Sequence, residues 1–296
     1  MLSLRTNAAL LSAQNAITQN QKSLSTSMTR LSTGYRINSA MDDAAGLQIA
    51  TRLKAQTSGM VVAMHNTQNS ISMLQTAEGA LGEVNNMLVR MKDLATQAAD
   101  ASSTASDQSA MQGEYDELGK ELNNIMLNTS FGGQKLLAGG ALGNASMTFQ
   151  IGASTSETMA LDLSAQFGTN IVDGTVGWAI GWASWKYRAP SDIWAGGTEL
   201  TGAGSANATI DDLSTAINAV AGARSDLGAT ANRLDHIYNN LSNMSSNTKA
   251  ATGLIMDVDF ATESSNMTSS QMLMQAGTAM LKQTNSMSSL VLSLLQ

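Results

Sequence analysis

The stretch Leu213–Leu241 reads LSTAINAVAGARSDLGATANRLDHIYNNL. Leu213, Val220, Leu227, Leu234 and Leu241 recur every seventh residue, and Ala216, Ala223, Ile237 and Met244 repeat three residues further on. Such spacing keeps one apolar seam on one side of an α-helix, and the seam must meet a partner helix. Two earlier stretches match it. Leu74, Leu81, Leu88 and Ala95 run in register with Ala77, Val84, Met91 and Ala98; then come Met111, Leu118 and Ile125 with Tyr115 and Leu122. Three helices of this kind bury a shared core as a rod-like bundle. The chain of 296 residues has one proline, Pro190, so nothing breaks these helices internally.

Both ends of the chain repeat the heptad more weakly. Leu10, Ile17, Leu24 and Leu31 are spaced by seven, as are Leu273, Met280, Met287 and Leu294. The intervening Ala13, Asn20 and Ser27 are small or polar, which leaves a narrow seam. A hairpin within one chain and contact with a second copy both satisfy the spacing. Ordering the backbone costs about 1–2 kcal/mol per residue. One narrow seam does not offset that, so each end is expected to lack order alone and to gain it on assembly.

The charge distribution agrees. Residues 1–41 hold Arg5, Lys22, Arg30 and Arg36 and no acid, and residues 264–296 hold only Lys282. Residues 42–263 hold 11 bases and all 23 acids. The net charge of −7 argues against a nucleic-acid partner. No apolar run approaches the 18 or more residues of a membrane span, and the first 20 residues lack the pattern of a cleavable secretory signal.

Between the second and third helices the period falls to two. Met147, Phe149 and Ile151 alternate, as do Met159, Leu161 and Leu163, near Gly139, Gly140, Gly143 and Gly152; this pattern predicts short hairpins. Residues 167–204 read as Gly-rich and irregular. The expected fold is mainly α: a long antiparallel helical bundle or coiled coil formed by the N- and C-terminal segments, with small β-hairpins and a short variable outer region.

Catalysis finds no support. The chain has no cysteine, only 4% aromatic residues and two histidines, His65 and His236, without companion ligands at metal spacing. Both histidines read as surface or packing residues. No HExxH, Gly-rich phosphate loop or GxSxG occurs. No catalytic, cofactor-binding or metal residue is assigned, and no cofactor is expected.

Leu31–Leu53, LSTGYRINSAMDDAAGLQIATRL, resembles the N-terminal signature of bacterial flagellins, the filament subunits of the flagellum. Thr76–Ala99 (TAEGALGEVNNMLVRMKDLATQAA), Ile255–Met267 (IMDVDFATESSNM), QAGTAML and the final VLSLLQ extend the resemblance over about 1–165 and 207–296. The resemblance implies inner-tube terminal helices at 1–44 plus 265–296. It implies an outer-tube helical rod with β-hairpins at 45–166 plus 205–264, and a reduced, solvent-facing segment at 167–204. It also implies a structural subunit, not an enzyme, that polymerises into the filament, a helical propeller for motility, after type III export. Itself, an export chaperone, the filament cap and hook-junction proteins are the implied partners, and the localisation is the extracellular flagellum. A hook–filament junction protein is the alternative within this class.

Several residues acquire expected roles. The two terminal heptad rows are the expected polymerisation seam. Gly34–Gly46 is a plausible connector, in which Asp42 and Asp43 suit the cap of the following helix. Arg90, Leu94 and Gln97 lie at i, i+4 and i+7, and with Glu114 they match the flagellin segment recognised by an innate immune receptor. Packing against a neighbouring subunit accounts for the same face. Gly177–Gly197, GWAIGWASWKYRAPSDIWAGG, holds Trp178, Trp182, Trp185 and Trp194 and lies outside the resemblance. Its rings fit a miniature outer domain, an exposed patch for a glycan, surface or partner, or a grafted peptide. The patch reading makes the chain a flagellin-like binding or adhesion module. The Ser/Thr-rich middle suits O-glycosylation at no particular site.

Overall fold

The computed structural model describes residues 8–143, 146–163, 170–172, 175–177, 197–201 and 203–294. Five helices dominate the described residues: α1 (Ala8–Thr33), α2 (Ala44–Ala98), α3 (Ala105–Asn128), α4 (Ala203–Met256) and α5 (Phe260–Leu294). Two compact units result, Met1–Ser58 with Ser245–Gln296, and Gly59–Met244. Their division falls inside α2 and α4. The sequence places its boundaries instead near residues 44/45 and 264/265.

In the unit 59–244 the strong heptads form the core. Leu74, Ala77, Leu81, Val84, Leu88, Met91, Ala95 and Ala98 of α2 are buried with Leu213, Ala216, Val220, Ala223, Leu227 and Leu234 of α4. From α3, Met111, Tyr115 and Met126 join them. The seam of α4 closes with Leu241 against Met60 and Ala63 of α2, whereas the expected next position, Met244, is exposed. Thr104 and Asp107 set the start of α3 in a reciprocal capping box. Burial pushes the Tyr115 hydroxyl up from its ordinary range, helped by the nearby charges of Glu199, Asp212 and Asp116.

Two hairpins border this core through Phe131 and through Phe149, Met159 and Leu161. Strands β3 (Met147–Gln150) and β4 (Thr158–Leu161) pair antiparallel, with Met147 opposite Leu161 and Phe149 opposite Met159. Alternation puts Phe149, Met159 and Leu161 on one buried face. Two further hairpins fall outside the expected pair. In one, β1 (Ser130–Phe131) and β2 (Gln134–Lys135) are joined by Gly132 and Gly133, whose φ values of 58° and 85° suit a two-residue primed turn. The other joins β5 (Asn170–Val172) to β6 (Thr175–Gly177), so 167–204 is not wholly irregular.

Gln112 of α3 is buried and ties in the chain where it returns to α4. Its amide nitrogen donates to Asp116 Oδ1 and Glu199 Oε2, both at 2.8 Å, and its carbonyl oxygen accepts the Leu200 amide at 2.7 Å.

Candidate functional site

In the unit formed by 1–58 and 245–296, α1 lies against α5. Both helices are poor in charge: α1 carries Lys22 and Arg30, α5 Glu263 and Lys282. Leu10, Ile17, Leu24 and Leu31 are half-buried along α1. On α5 the half-buried row is Met267, Met274 and Leu281, interleaved with Ser270, Gly277 and Thr284. Gly277 permits close approach, since a Cβ there would stand 2.8 Å from Ile17 Cγ1.

The described parts of both ends, 8–33 and 260–294, are paired helices in this structure. Leu273 and Met280 of the expected polymerisation seam lie off this half-buried row and are 56% and 66% exposed. The physical reason is a choice between two interleaved heptads on α5, one of which contains the small residue that admits α1. The side chains of Met287 and Leu294 lie outside the described residues.

A short clasp joins the two strands of chain that connect these helices to α2 and α4. Gly34 ends α1 with φ of 77°, and its amide donates to Arg30 O. Tyr35 and Asp257 form an isolated antiparallel bridge. The Arg36 amide donates to Met256 O at 2.6 Å, its guanidinium to Ile255 O at 2.9 Å, and the Val258 amide to Gly34 O at 3.0 Å. Asp42 accepts from the amides of Ser39 and Asn38 and from the Ser39 hydroxyl, which lower its carboxyl below the ordinary aspartate value. Asp43 accepts the Gly46 amide at 2.8 Å and so caps α2. Asp259 caps α5; the Thr262 hydroxyl, then the amides of Ala261 and Thr262, hold its carboxyl low.

Elsewhere the expected site residues separate. Arg90 and Glu114 meet: Arg90 Nε donates to Glu114 Oε1 at 2.8 Å, and Nη2 lies 2.6 Å away. Gln97 is exposed, but Leu94 is 3% exposed and belongs to the core. Arg90, Leu94 and Gln97 flank the edge of the α2 seam, so the shared helical face divides between solvent and core. His65 and His236 are both exposed. Trp178, Trp182, Trp185 and Trp194 lie outside the described residues. The sequence points to the Gly34–Gly46 connector and its Asp43 cap but gives no sign of the buried Gln112, of the bonds from Arg36 to Ile255 and Met256, or of the Met267/Met274/Leu281 row. A search for the second heptad phase on α5 would have found only the last.

No helix among the described residues is long and apolar enough to cross a membrane, and none of their side chains form a metal-ligating cluster. The fold is that of a mainly helical protein of two units, with α1 and α5 paired in one of them. Comparison specifies it further. The description "bacterial flagellin N-terminal helical region" matches residues 4–141, and "bacterial flagellin C-terminal helical region" matches 210–295. Flagellin A of Vibrio anguillarum is 36% identical and flagellin A of Vibrio cholerae 35%, each over 380 aligned positions that span all of both chains. A protein described as a flagellar hook-associated protein from Vibrio parahaemolyticus shares the fold, with TM-score 0.55, 17% identity and coverage of 73% of this chain and 99% of that one. The chain belongs to the bacterial flagellin family. It is a structural subunit of the flagellar filament, not an enzyme. Its homologues form that filament outside the cell.

Proposed function

We propose that the paired helices α1 and α5 carry the contacts between subunits, and that Leu273 and Met280 lie on the seam that a second copy covers. One observation supports this most directly. These two large apolar side chains are exposed on a helix whose other heptad row is already used by α1. Exposed apolar stripes on charge-poor helices favour burial against another chain. Leu10, Ile17, Leu24 and Leu31 then hold the pair together and so shape the seam indirectly. Met287 and Leu294 continue it by spacing.

In this reading residues 1–44 with 265–296 form the inner tube, 45–166 with 205–264 the outer tube, and 167–204 face solvent. Head-to-tail contacts that do not close generate a helical filament. The subunit leaves through the type III export apparatus with its chaperone, and meets the cap and hook-junction proteins at the filament ends. Arg90, Gln97 and Glu114 form a surface for an innate immune receptor, with Leu94 supporting them from beneath.

The test combines two substitutions, Leu273→Asp and Met280→Asp, with seeded growth of filaments followed by electron microscopy. The variant is expected to keep its helical content and lose growth. Growth at the wild-type rate would overturn the seam.

A further inference from the structure

Among the described residues, four of the five exposed methionines lie in the unit of 1–58 with 245–296; the fifth, Met244, is 40% exposed at the edge of the other unit. There is no cysteine, so all 19 sulfur atoms of the chain are methionine thioethers. In the unit 59–244, Met60, Met73, Met91, Met111, Met126 and Met159 are buried. In the other unit Met41 is 93% exposed, Met28 53% and Met272 59%, beside Met280 of the seam. These last four are unbranched apolar side chains in solvent, on the helices and connector of the assembling unit.

We infer that Met28, Met41, Met272 and Met280 are an oxidation site that controls assembly, taking a peroxide as co-reactant. A thioether lone pair attacks one peroxide oxygen and the O–O bond breaks. The departing oxygen takes the proton and leaves as water or alcohol. Sulfur is oxidised to the sulfoxide and the peroxide is reduced. The change turns a flexible apolar side chain into a polar, chiral one. A sulfoxide covered by a neighbouring copy must find a hydrogen-bond donor or bear the cost of desolvation. The buried methionines are shielded, so the bundle of the other unit outlasts the reaction. A sulfoxide reductase returns the thioether and water while its dithiol is oxidised to a disulfide, which makes the block reversible. No thiol in the chain competes for oxidant or forms a disulfide.

The inference rests on the assembly reading above, and the experiment separates the two. Full-length subunit is treated with hydrogen peroxide, the modified methionines are mapped by peptide mass spectrometry, and growth from untreated seeds is followed. Met28, Met41, Met272 and Met280 are expected to oxidise first. Growth is expected to fall about tenfold or more, the scale of burying one unpartnered polar group. The pair of methionine sulfoxide reductases, one for each epimer, should restore it, and a variant with leucine at all four positions should grow unaffected by peroxide. Uniform oxidation of buried and exposed methionines, growth unchanged by peroxide, or no recovery after reduction would each overturn the inference. If the leucine variant does not grow even untreated, recovery of the reduced wild type decides. Failure of untreated wild type to elongate seeds would instead sink the assembly reading.

Discussion

Arg30 of α1 and Glu263 of α5 form an ion pair at 3.6 Å, with the Glu263 side chain 9% exposed and Arg30 Nε buried without a hydrogen-bond partner. The contact lies near one end of two charge-poor helices. Breaking a buried pair by removing one partner is costly because the other charge stays behind.

Glu263→Ala should therefore weaken the terminal unit by about 1–3 kcal/mol, toward the low side for a partly exposed arginine. Limited proteolysis checks this: cleavage in 8–33 and 260–294 should accelerate while the fragment containing 59–244 persists. Equal acceleration in both units would contradict it.

Gly277→Leu is expected to push α1 from α5, because its Cβ alone would meet Ile17 Cγ1 at 2.8 Å. Overpacking of this kind costs about 1–3 kcal/mol. Ile17→Ala in the same chain should recover part of the loss, and a double-mutant cycle by thermal unfolding measures that coupling.

Leu81→Ala and Leu227→Ala remove side chains that are fully buried in the same core. Each should cost about 2–5 kcal/mol. Urea denaturation should show a lower midpoint with an unchanged slope, and additivity of the pair would mean the two sites do not share a cavity.

Acid should act first at the helix starts. Asp42 is held below 3.8 by the Ser39 amide above all, Asp259 by the Thr262 hydroxyl and Asp107 by the Thr104 hydroxyl. The unfolded chain binds protons at these carboxyls more readily than the folded chain does. Their stabilisation is thus present above about pH 4 and lost as pH falls through the lowered values. Amide exchange at residues 38–46 and 259–263 should rise below that pH ahead of exchange in the core of 74–98. Asp259→Asn, which keeps acceptor geometry without charge, should blunt the pH dependence at the start of α5.

Deleting Gly177–Gly197 should leave filament growth intact, since the family match omits 142–209 and the segment lies within it. Loss of filaments would assign the tryptophans a role in assembly, while loss of surface binding alone would favour the adhesion reading.

The sequence made the strong heptads legible because a buried seam demands large apolar residues at fixed spacing. Leu74 to Ala98 and Leu213 to Leu241 could hardly be read otherwise, and Phe149 and Met159 revealed their ladder by alternation. The α5 seam was legible only as spacing. Leu273/Met280 and Met267/Met274 share the same period, and the choice between them depends on Gly277, an absent side chain that periodicity does not weigh. Leu94 was misplaced for a related reason: three residues on one helical face need not share one environment at the edge of a seam. Gln112 gave no signal, because a buried amide is justified only by Glu199 and Leu200, distant in sequence. The clasp at Arg36 uses mainly backbone groups, which every residue possesses.

That clasp joins Arg36 to Ile255 across 219 positions of chain. Whatever is threaded between those two points, the knot sees only its own entry and exit. The 380 aligned positions shared with the Vibrio proteins exceed the 296 residues here, so the relatives carry extra residues. The fastening itself draws only on residues 34–36 and 255–258, a staple set at the two ends of that long run of chain.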